Sequence, residues 1–281
     1  MGDSFSRLGF GCARIGSFNN PMSDRESDRL LEHALDLGIT LFDTADIYGQ
    51  GDSEKAVGRL LRGRRDAAFV VTKVGQRFSA KARVMRPFKR VLKPLIARSA
   101  GARAGVSARR AATMATDFSP RYVTTAIDGS LRRLGFEAVD GLLLHSPAAT
   151  DLHAGVFEAL EYAKAQGKLR HFGVACDDAA TVRAALAWSG VRLIELAPPV
   201  FEEVRTEIEQ AVAARGLLVL LREVIRYRDG AAPLDAVALA ARQPAVAAIV
   251  AGTTSQRHLD ELARAAMNAD VAADTRLRRA G

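Results

Sequence analysis

The chain has 281 residues, of which 48% are hydrophobic and 26% charged, and it carries a formal net charge of +8. This length and composition are typical of one large globular domain and exclude disordered and collagen-like chains. No apolar run approaches the roughly 18 residues needed to cross a bilayer. The N-terminal residues lack a secretory pattern, so a cytoplasmic protein is expected. Cys12 and Cys176 are too few for a disulfide framework, and free thiols are expected.

The positive charge is concentrated in one segment of the chain. Residues 76–118 contain eleven Lys or Arg residues and one acid, Asp117, for a net charge of +10. The other 238 residues therefore sum to −2. This distribution predicts an ordinary globular body that carries one basic insert.

Eight short apolar segments alternate along the chain with segments of helical periodicity. The predicted strands are Leu8–Cys12, Thr40–Thr44, Phe69–Val74, Gly141–His145, His171–Ala175, Leu193–Ala197, Leu217–Leu221 and Ala247–Ala251. The predicted helices begin near Ser23, Ser53, Ser119, Thr150, Asp177, Phe201, Ala232 and Ser255. The predicted helix ends fall at Gly38, Gly135, Gly167, Gly190 and Gly216.

The first residues of several predicted helices carry helix-start chemistry. Ser23 followed by Glu26 is a capping-box pattern. Ser119 precedes Pro120, which places proline at the first helical position. Asp177 is predicted to cap the helix after the fifth strand.

Strands that are apolar on both faces belong in a parallel sheet covered by helices. Eight strand–helix pairs in a chain of this length predict an α/β fold, a closed (β/α)8 TIM barrel forming a single domain over residues 1–281. The basic insert, residues 76–118, follows the third strand. The alternative is an open doubly wound sheet, but Gly9-Phe10-Gly11-Cys12 lacks the third glycine of a dinucleotide-binding turn.

Ionisable side chains stand at the ends of three consecutive predicted strands. Asp43, Lys73 and His145 end the second, third and fourth strands, and Tyr48 follows on the adjoining loop. Chemistry in such barrels takes place at this end, where neighbouring strands lie about 4.8 Å apart. We therefore expect the four side chains to share one site. Each has a structural alternative: an ion pair for Asp43 and Lys73, and packing roles for His145 and Tyr48.

This set of residues favours proton delivery by a phenol. Lys73 is expected to lower the pKa of Tyr48 towards the working pH, and Asp43 to keep Lys73 charged. His145 is expected to donate a hydrogen bond to a substrate carbonyl oxygen as that oxygen gains negative charge. With a hydride donor, the reaction would be reversible carbonyl reduction.

Residues 38–61, GITLFDTADIYGQGDSEKAVGRLL, resemble the signature of the aldo-keto reductases. Further matching pieces are Val71-Thr72-Lys73, Val139-Asp140 through Leu144-His145-Ser146-Pro147, Gly167-Lys168-Leu169-Arg170 leading to Gly173-Val174, and Gly252 to Glu261. The resemblance implies a (β/α)8 barrel that transfers hydride between NADPH, with NADH as the alternative, and a small carbonyl or alcohol substrate. Asp43, Tyr48, Lys73 and His145 match the catalytic tetrad, with Tyr48 as the proton donor.

The cofactor positions implied by the resemblance are altered. Ala175-Cys176 stands where the family usually has Ser-Asn, Glu195 where it has Gln, and Arg222 where an aromatic ring stacks on the nicotinamide. Arg222 can stack through its planar guanidinium, but a positively charged oxidised ring would be repelled. The remaining implied cofactor-binding residues are Gly252, Thr253, Thr254, Ser255, Arg257, His258 and Glu261, with Leu262 in place of a usual Asn. The helix start after Gly252 is suited to phosphate, and Arg257 or His258 to a 2′-phosphate.

Two other parts of the chain depart from the family pattern. Only six residues precede Arg7, so the usual N-terminal hairpin is not expected and another segment or a partner is expected to cover the barrel bottom.

In the insert, apolar residues from Val84 to Ile96 alternate with basic residues such as Arg86 and Lys89, which predicts a basic amphipathic helix. It is interpreted either as a solvated excursion packed over the barrel or as a lid that contacts an anionic substrate or the cofactor phosphates. Binding to an anionic membrane surface is a weaker alternative. Nucleic-acid binding is weaker still, because neither a recognition module nor aromatic interleaving is present.

Three functional hypotheses follow from these residues. The tetrad favours an NAD(P)H-dependent oxidoreductase of the aldo-keto reductase type. The altered cofactor positions favour two alternatives with a degenerate nicotinamide site, a binding or regulatory protein and an enzyme of cofactor-independent proton transfer. No cysteine or histidine spacing indicates a metal site. Substrate identity and oligomeric state are left open.

Overall fold

The computed structural model describes residues 4–17, 22–78 and 114–267, and within these ranges eight parallel strands close into a barrel. The eight barrel strands are β1 (Leu8–Gly11), β2 (Leu41–Asp43), β3 (Phe69–Val74), β6 (Val139–His145), β7 (Leu169–Ala175), β8 (Val191–Leu196), β9 (Leu218–Arg222) and β10 (Ala248–Ala251). Two further strands, β4 (Gln76–Phe78) and β5 (Met114–Thr116), form a separate ribbon. The barrel order is β1, β2, β3, β6, β7, β8, β9 and β10, which returns to β1. All eight predicted strands are therefore confirmed, and the closed barrel replaces the open-sheet alternative.

Helices lie between the barrel strands. They are α1 (Asp24–Asp36), α2 (Asp52–Leu60), α3 (Pro120–Leu134), α4 (Ala154–Ala165), α5 (Ala179–Leu186), α6 (Pro198–Glu203), α7 (Arg205–Arg215), α8 (Pro233–Ala241) and α9 (residues 256–267). The capping box of Ser23 and Glu26 is present, and the Ser119 hydroxyl accepts from the backbone N–H of Tyr122. Gly135 and Gly216 end α3 and α7 in the left-handed conformation, which glycine adopts without a Cβ clash.

Three predicted helix bounds are wrong. A short 3-10 turn occupies Ala149–Asp151, so α4 begins at Ala154 and not near Thr150. The helix predicted near Phe201 is two helices, α6 and α7, which meet at Val204. The predicted stop at Gly190 is late, because α5 already ends at Leu186.

The cap of α5 is Asp178 and not the predicted Asp177. The Asp178 side chain accepts a hydrogen bond of 2.8 Å from the backbone N–H of Thr181, whereas the Asp177 carboxylate points to Arg222. Asp178→Ala is therefore expected to lower the free energy of unfolding by about 1 kcal/mol, as lost N-caps do. Urea unfolding of both single alanine variants checks this assignment. A larger loss in Asp177→Ala would contradict it.

The side chains that point into the barrel are apolar along most of its length and polar at the C-terminal ends of the strands. The interior cluster comprises Leu41, Phe69, Val71, Leu143, Ala175, Leu193, Leu220, Ala248 and Val250, all buried. At the N-terminal ends of the strands, Phe5 packs on Phe69 with 4.8 Å between ring centroids. The expected cover of the barrel bottom is therefore this short N-terminal segment.

The two ends of the basic insert pair with each other. β4 and β5 form an antiparallel ribbon directly after β3, and Arg77 pairs with Asp117 at 3.3 Å. The predicted amphipathic helix lies outside the described residues. Among the helices that are described, none is long and apolar enough to span a membrane.

Candidate active site

Six barrel strands bring the predicted site residues to one end of the barrel. Asp43, Lys73, His145, Ala175, Glu195 and Arg222 lie at or next to the C-terminal ends of β2, β3, β6, β7, β8 and β9. The strand register places Ala175 level with both His145 and Glu195. A cleft of about 510 Å³ opens above this layer, and Asp43, Tyr48, His145, Glu195, Arg222 and Gly252 are among its lining residues. Because side chains alternate between the two faces of a strand, these residues all face the interior at the C-terminal end of the barrel.

Tyr48 reaches the cleft because the loop after β2 is tied to β3. The backbone N–H groups of Thr44 and Asp46 donate to the carbonyls of Val71 and Lys73 at 2.8 and 3.1 Å. Gly49 follows in the left-handed conformation, and a Cβ there would lie 2.8 Å from the backbone of Gly16. A larger residue at this position would displace the loop that presents Tyr48.

The four predicted catalytic side chains lie close to one another. The Tyr48 and His145 rings meet edge to face, with 5.7 Å between their centroids. The Lys73 ammonium lies 5.5 Å from the centre of the Tyr48 ring and forms a buried ion pair with Asp43. The geometry thus combines a phenol, an imidazole and an ammonium–carboxylate pair at the floor of the cleft.

Lys73 has a second carboxylate partner, Glu195. The Lys73 Nζ lies 3.1 Å from Glu195 Oε2, and both side chains are almost completely buried. Burial would lower the pKa of Lys73, but Asp43 and Glu195 outweigh burial and raise it above its ordinary value. Burial and the charge of Glu195 raise the pKa of Asp43, against the opposing effect of Lys73. Lys73 is therefore a fixed cation shared by two carboxyl side chains.

These surroundings reverse the predicted direction of the pKa shift of Tyr48. Burial raises the pKa of Tyr48 to about 12; Lys73 lowers it, but Asp43 and Glu195 oppose Lys73. The prediction that Lys73 brings the pKa of Tyr48 down towards the working pH is therefore wrong for this structure. Tyr48 is a protonated phenol at neutral pH, which is the form that donates a proton.

Arg222 joins the same set of charges from β9. Its guanidinium pairs with Asp177, lies 3.7 Å from Glu195 and 3.8 Å from Glu223, and donates to the Cys176 carbonyl at 3.1 Å. Three carboxylates thus offset its charge, which weakens the repulsion predicted towards a positively charged ring. Asp177, predicted only as a helix cap, and Glu223 were not assigned to the site from the sequence. The signal for them was their acidic character one or two residues after a strand end.

Two residues of the cleft have unusual backbone conformations. Ser146 and Glu223 have φ angles of 53° and 57° and directly follow His145 and Arg222. Non-glycine residues in the left-handed region cost about 1–3 kcal/mol each and cluster at functional sites. The surrounding fold therefore maintains these turns at some cost in stability.

Only some of the residues that the family resemblance assigns to cofactor binding line the cleft. Ala175 and Glu195 line the cleft, whereas the Cys176 side chain is fully buried, with its Sγ 3.8 Å from the Val174 carbonyl. Beyond Gly252, the Ser255 hydroxyl accepts from the His258 backbone N–H at 3.4 Å at the start of α9. Thr253, Thr254, Arg257 and Glu261 lie on this adjoining loop and helix, outside the cleft lining.

Cys12 and Cys176 are both free, as predicted, and both are buried. Burial raises the pKa of each thiol above its ordinary value. Within residues 4–17, 22–78 and 114–267, no group of three His, Cys, Asp or Glu side chains is placed to hold a metal ion.

A larger groove, of about 1050 Å³, lies at the opposite end of the barrel beside the last turns of α2 and α3. Three of its arginines have carboxylate partners: Arg65 and Arg170 pair with Asp140, and Arg133 pairs with Glu54. Cations near helix C-termini offset the helix dipole. These three arginines therefore have a structural role, whereas Tyr48 and His145 lie in the smaller cleft.

Comparison with known proteins agrees with this geometry. A profile described as the aldo/keto reductase family matches residues 7–223. The aldo-keto reductase yakc of Schizosaccharomyces pombe, whose name includes NADP(+), is 28% identical over 217 residues, which are 76% of this chain and 55% of that protein. A pyridoxal 4-dehydrogenase of Microbacterium luteolum is 31% identical over 199 residues, which are 66% of this chain and 56% of that protein. The chain thus spans about half the length of these curated relatives.

The fold likeness extends further along the chain. The holo form of an aldo-keto reductase from Bacillus halodurans matches with a TM-score of 0.74 and 23% identity, over 93% of this chain and 86% of that one. This likeness concerns the fold alone. Because the family profile covers most of the chain, from β1 to the end of β9, the protein belongs to the aldo/keto reductase family.

Proposed function

We propose that the protein is an oxidoreductase that transfers hydride between NAD(P)H and a carbonyl or alcohol substrate, with Tyr48 as the proton donor. The observation that carries this proposal is the grouping of Asp43, Tyr48 and His145 around one cleft, with Lys73 buried next to Asp43. Packing alone does not require a phenol and an imidazole side by side above a buried ion pair. A small carbonyl compound is the substrate class that these groups suit.

Each residue has a role that follows from its surroundings. Tyr48 keeps its proton at neutral pH and delivers it to the carbonyl oxygen during reduction. His145, whose ring meets Tyr48 edge on, donates a hydrogen bond to that oxygen as negative charge develops. Lys73 and Asp43 fix the electrostatic field beneath the phenol.

The residues suit the phosphates of a nicotinamide dinucleotide better than they suit its carboxamide group. The start of α9 offers backbone N–H groups to phosphate, and Arg257 is largely exposed there, 3.8 Å from Glu261. In the cleft, Glu195 and Arg222 retain polar groups, although Ala175 and Cys176 offer no side-chain hydrogen bond to a carboxamide. When bound, the reduced nicotinamide supplies the hydride.

A second candidate is a protein that binds ligands or transfers protons without redox turnover. The specific observation in its favour is Arg222, which is held by three carboxylates at the position where the family stacks an aromatic ring. If this arrangement excludes the nicotinamide, the tetrad would serve a different reaction.

Calorimetric titration with NADPH and NADH separates the two candidates. We expect binding in the micromolar range for at least one reduced cofactor, because the start of α9 offers backbone N–H groups to phosphate and the cleft retains the polar groups of Glu195 and Arg222. Arg257→Ala is expected to weaken NADPH binding more than NADH binding, because only NADPH carries a 2′-phosphate. Absence of binding at millimolar concentration would refute the oxidoreductase proposal.

Calorimetry is preferable to quenching of tryptophan fluorescence in this protein. The one tryptophan, Trp188, stacks on Phe157 with 4.4 Å between ring centroids and lies just before the start of β8 at Val191. It therefore lies at the N-terminal end of the strands, away from the cleft. The emission of the reduced nicotinamide itself is the better optical signal.

A further inference from the structure

We infer that Glu195 is a positioning residue that, together with Asp43, fixes the Lys73 ammonium and sets the proton affinity of Tyr48. This inference rests on the proposed function, in which Tyr48 is the proton donor. It assigns to Glu195 a role towards Lys73, where the family resemblance implied only a contact to the cofactor.

The contacts of Glu195 support this role. One of its oxygens lies 3.1 Å from Lys73 Nζ, and the other lies 3.7 Å from Arg222 Nε. The side chain is 2% exposed and that of Lys73 is 1% exposed, so solvent screens their ion pair little. Glu195 is thus placed between the two cations of the site.

The charges form a row from the barrel interior to the surface. Asp43 and Glu195 flank Lys73, and Arg222 connects Glu195 to Asp177, whose side chain is 57% exposed. The titratable and charged groups of the row and around it are Cys12 and Arg14 after β1, Asp43 on β2, Tyr48 on the following loop, Lys73 on β3, His145 on β6, Cys176 and Asp177 after β7, Glu195 on β8, Arg222 at the end of β9, and Glu223 and Arg226 after it. The β7 residue that faces the row, Ala175, is uncharged.

Removing the charge of Glu195 changes the balance at Tyr48. With Asp43 alone, the positive charge of Lys73 is less completely offset, and the phenolate is favoured. Glutamine, the residue usual in the family, has the same shape without the charge. The glutamate of this chain therefore holds the proton on Tyr48 more firmly than glutamine would, which favours its role as an acid over its role as a base.

The test is a spectroscopic pH titration of tyrosinate absorbance in the wild type, Glu195→Gln and Glu195→Asp. The chain has four tyrosines, so the same titration of Tyr48→Phe in each background isolates the Tyr48 signal. We expect the Tyr48 midpoint to fall by about one pH unit or more in Glu195→Gln. Glu195→Asp, which keeps the charge, is expected to stay close to the wild type. Circular dichroism marks the pH range in which the fold persists.

Asp140→Asn is the matched control. Asp140 is also a buried carboxylate with two arginine partners, but it lies at the opposite end of the barrel. Its replacement should leave the Tyr48 midpoint unchanged. If Glu195→Gln does not fold, Glu195→Met removes the charge with a side chain of similar volume and is expected to shift the midpoint in the same direction.

The titration needs neither cofactor nor turnover, so it separates this inference from the proposed function. An unchanged midpoint in the charge-removing variants would overturn the inference even if the protein reduces carbonyl compounds. A lowered midpoint would support it even if no cofactor binds. In an active enzyme, the same variant should also shift the pH profile of kcat for alcohol oxidation to lower pH.

Discussion

Tyr48→Phe is expected to lower kcat for carbonyl reduction by about 10²–10⁴-fold, the usual contribution of a positioned general acid. Phenylalanine keeps the ring that packs edge to face on His145, so the cleft should retain its shape. Only the proton donor is lost. Cofactor affinity measured by calorimetry should therefore stay at the wild-type value while steady-state turnover collapses.

Tyr162→Phe is the matched control for this experiment. Tyr162 lies on α4 and is 62% exposed, so loss of its hydroxyl should affect neither turnover nor stability. A panel of small aldehydes and ketones serves as substrate, with oxidation of the reduced nicotinamide as the signal. Turnover of Tyr48→Phe within a few-fold of the wild type would assign the proton donor to another group.

Lys73→Met is expected to have the largest effect on stability. Lys73 is 1% exposed and balances both Asp43 and Glu195, so its loss leaves two buried carboxylates without their shared cation. Removing one partner of a buried ion pair typically costs about 3–5 kcal/mol. Chemical unfolding at neutral pH should show a decrease in the free energy of unfolding of this size, together with loss of turnover.

The pH dependence of that loss provides a check on its cause. Without Lys73, the pKa of the Asp43 carboxyl, which burial and the charge of Glu195 already raise, should lie further above its unfolded value. A carboxyl whose pKa is raised in the folded state favours folding most at low pH and loses this advantage as the pH rises. The deficit of Lys73→Met relative to the wild type should therefore be smaller at about pH 5 than at about pH 8.

A double variant provides the control for the lysine prediction. Lys73→Met combined with Glu195→Gln removes one of the two carboxylate charges that Lys73 balances and should recover part of the stability. Equal stabilities of the single and double variants at both pH values would show that lost packing, not charge, causes the effect.

The sequence predicted the barrel and the floor of the site because both depend on short-range periodicity. Alternation places Asp43, Lys73 and His145 on inward-facing positions, and strand ends mark the catalytic face. The partners of these residues depend on how far long side chains reach across the barrel. Glu195 is distant from Lys73 in the chain, so the sequence alone did not reveal their contact.

The two remaining errors near the site have physical causes of the same kind. The pKa of Tyr48 was predicted from one neighbouring cation, whereas burial and two carboxylates determine its direction. Asp177 and Asp178 are adjacent and identical in type, so composition does not identify the cap. The backbone of Asp178 is extended and directs its carboxylate onto Thr181, which leaves Asp177 for Arg222.

The contact between Lys73 and Glu195 also bears on how the chain folds. It joins β3, in the first half of the barrel, to β8, in the second half. A folding intermediate that contained only the first half would hold Asp43 and Lys73 without Glu195, and one that contained only the second half would hold Glu195 without Lys73. Contacts between such distant segments form late, after the loop-closure entropy has been overcome. Neutralisation of Lys73 by Glu195 therefore requires both halves of the barrel, which couples the assembly of one half to that of the other.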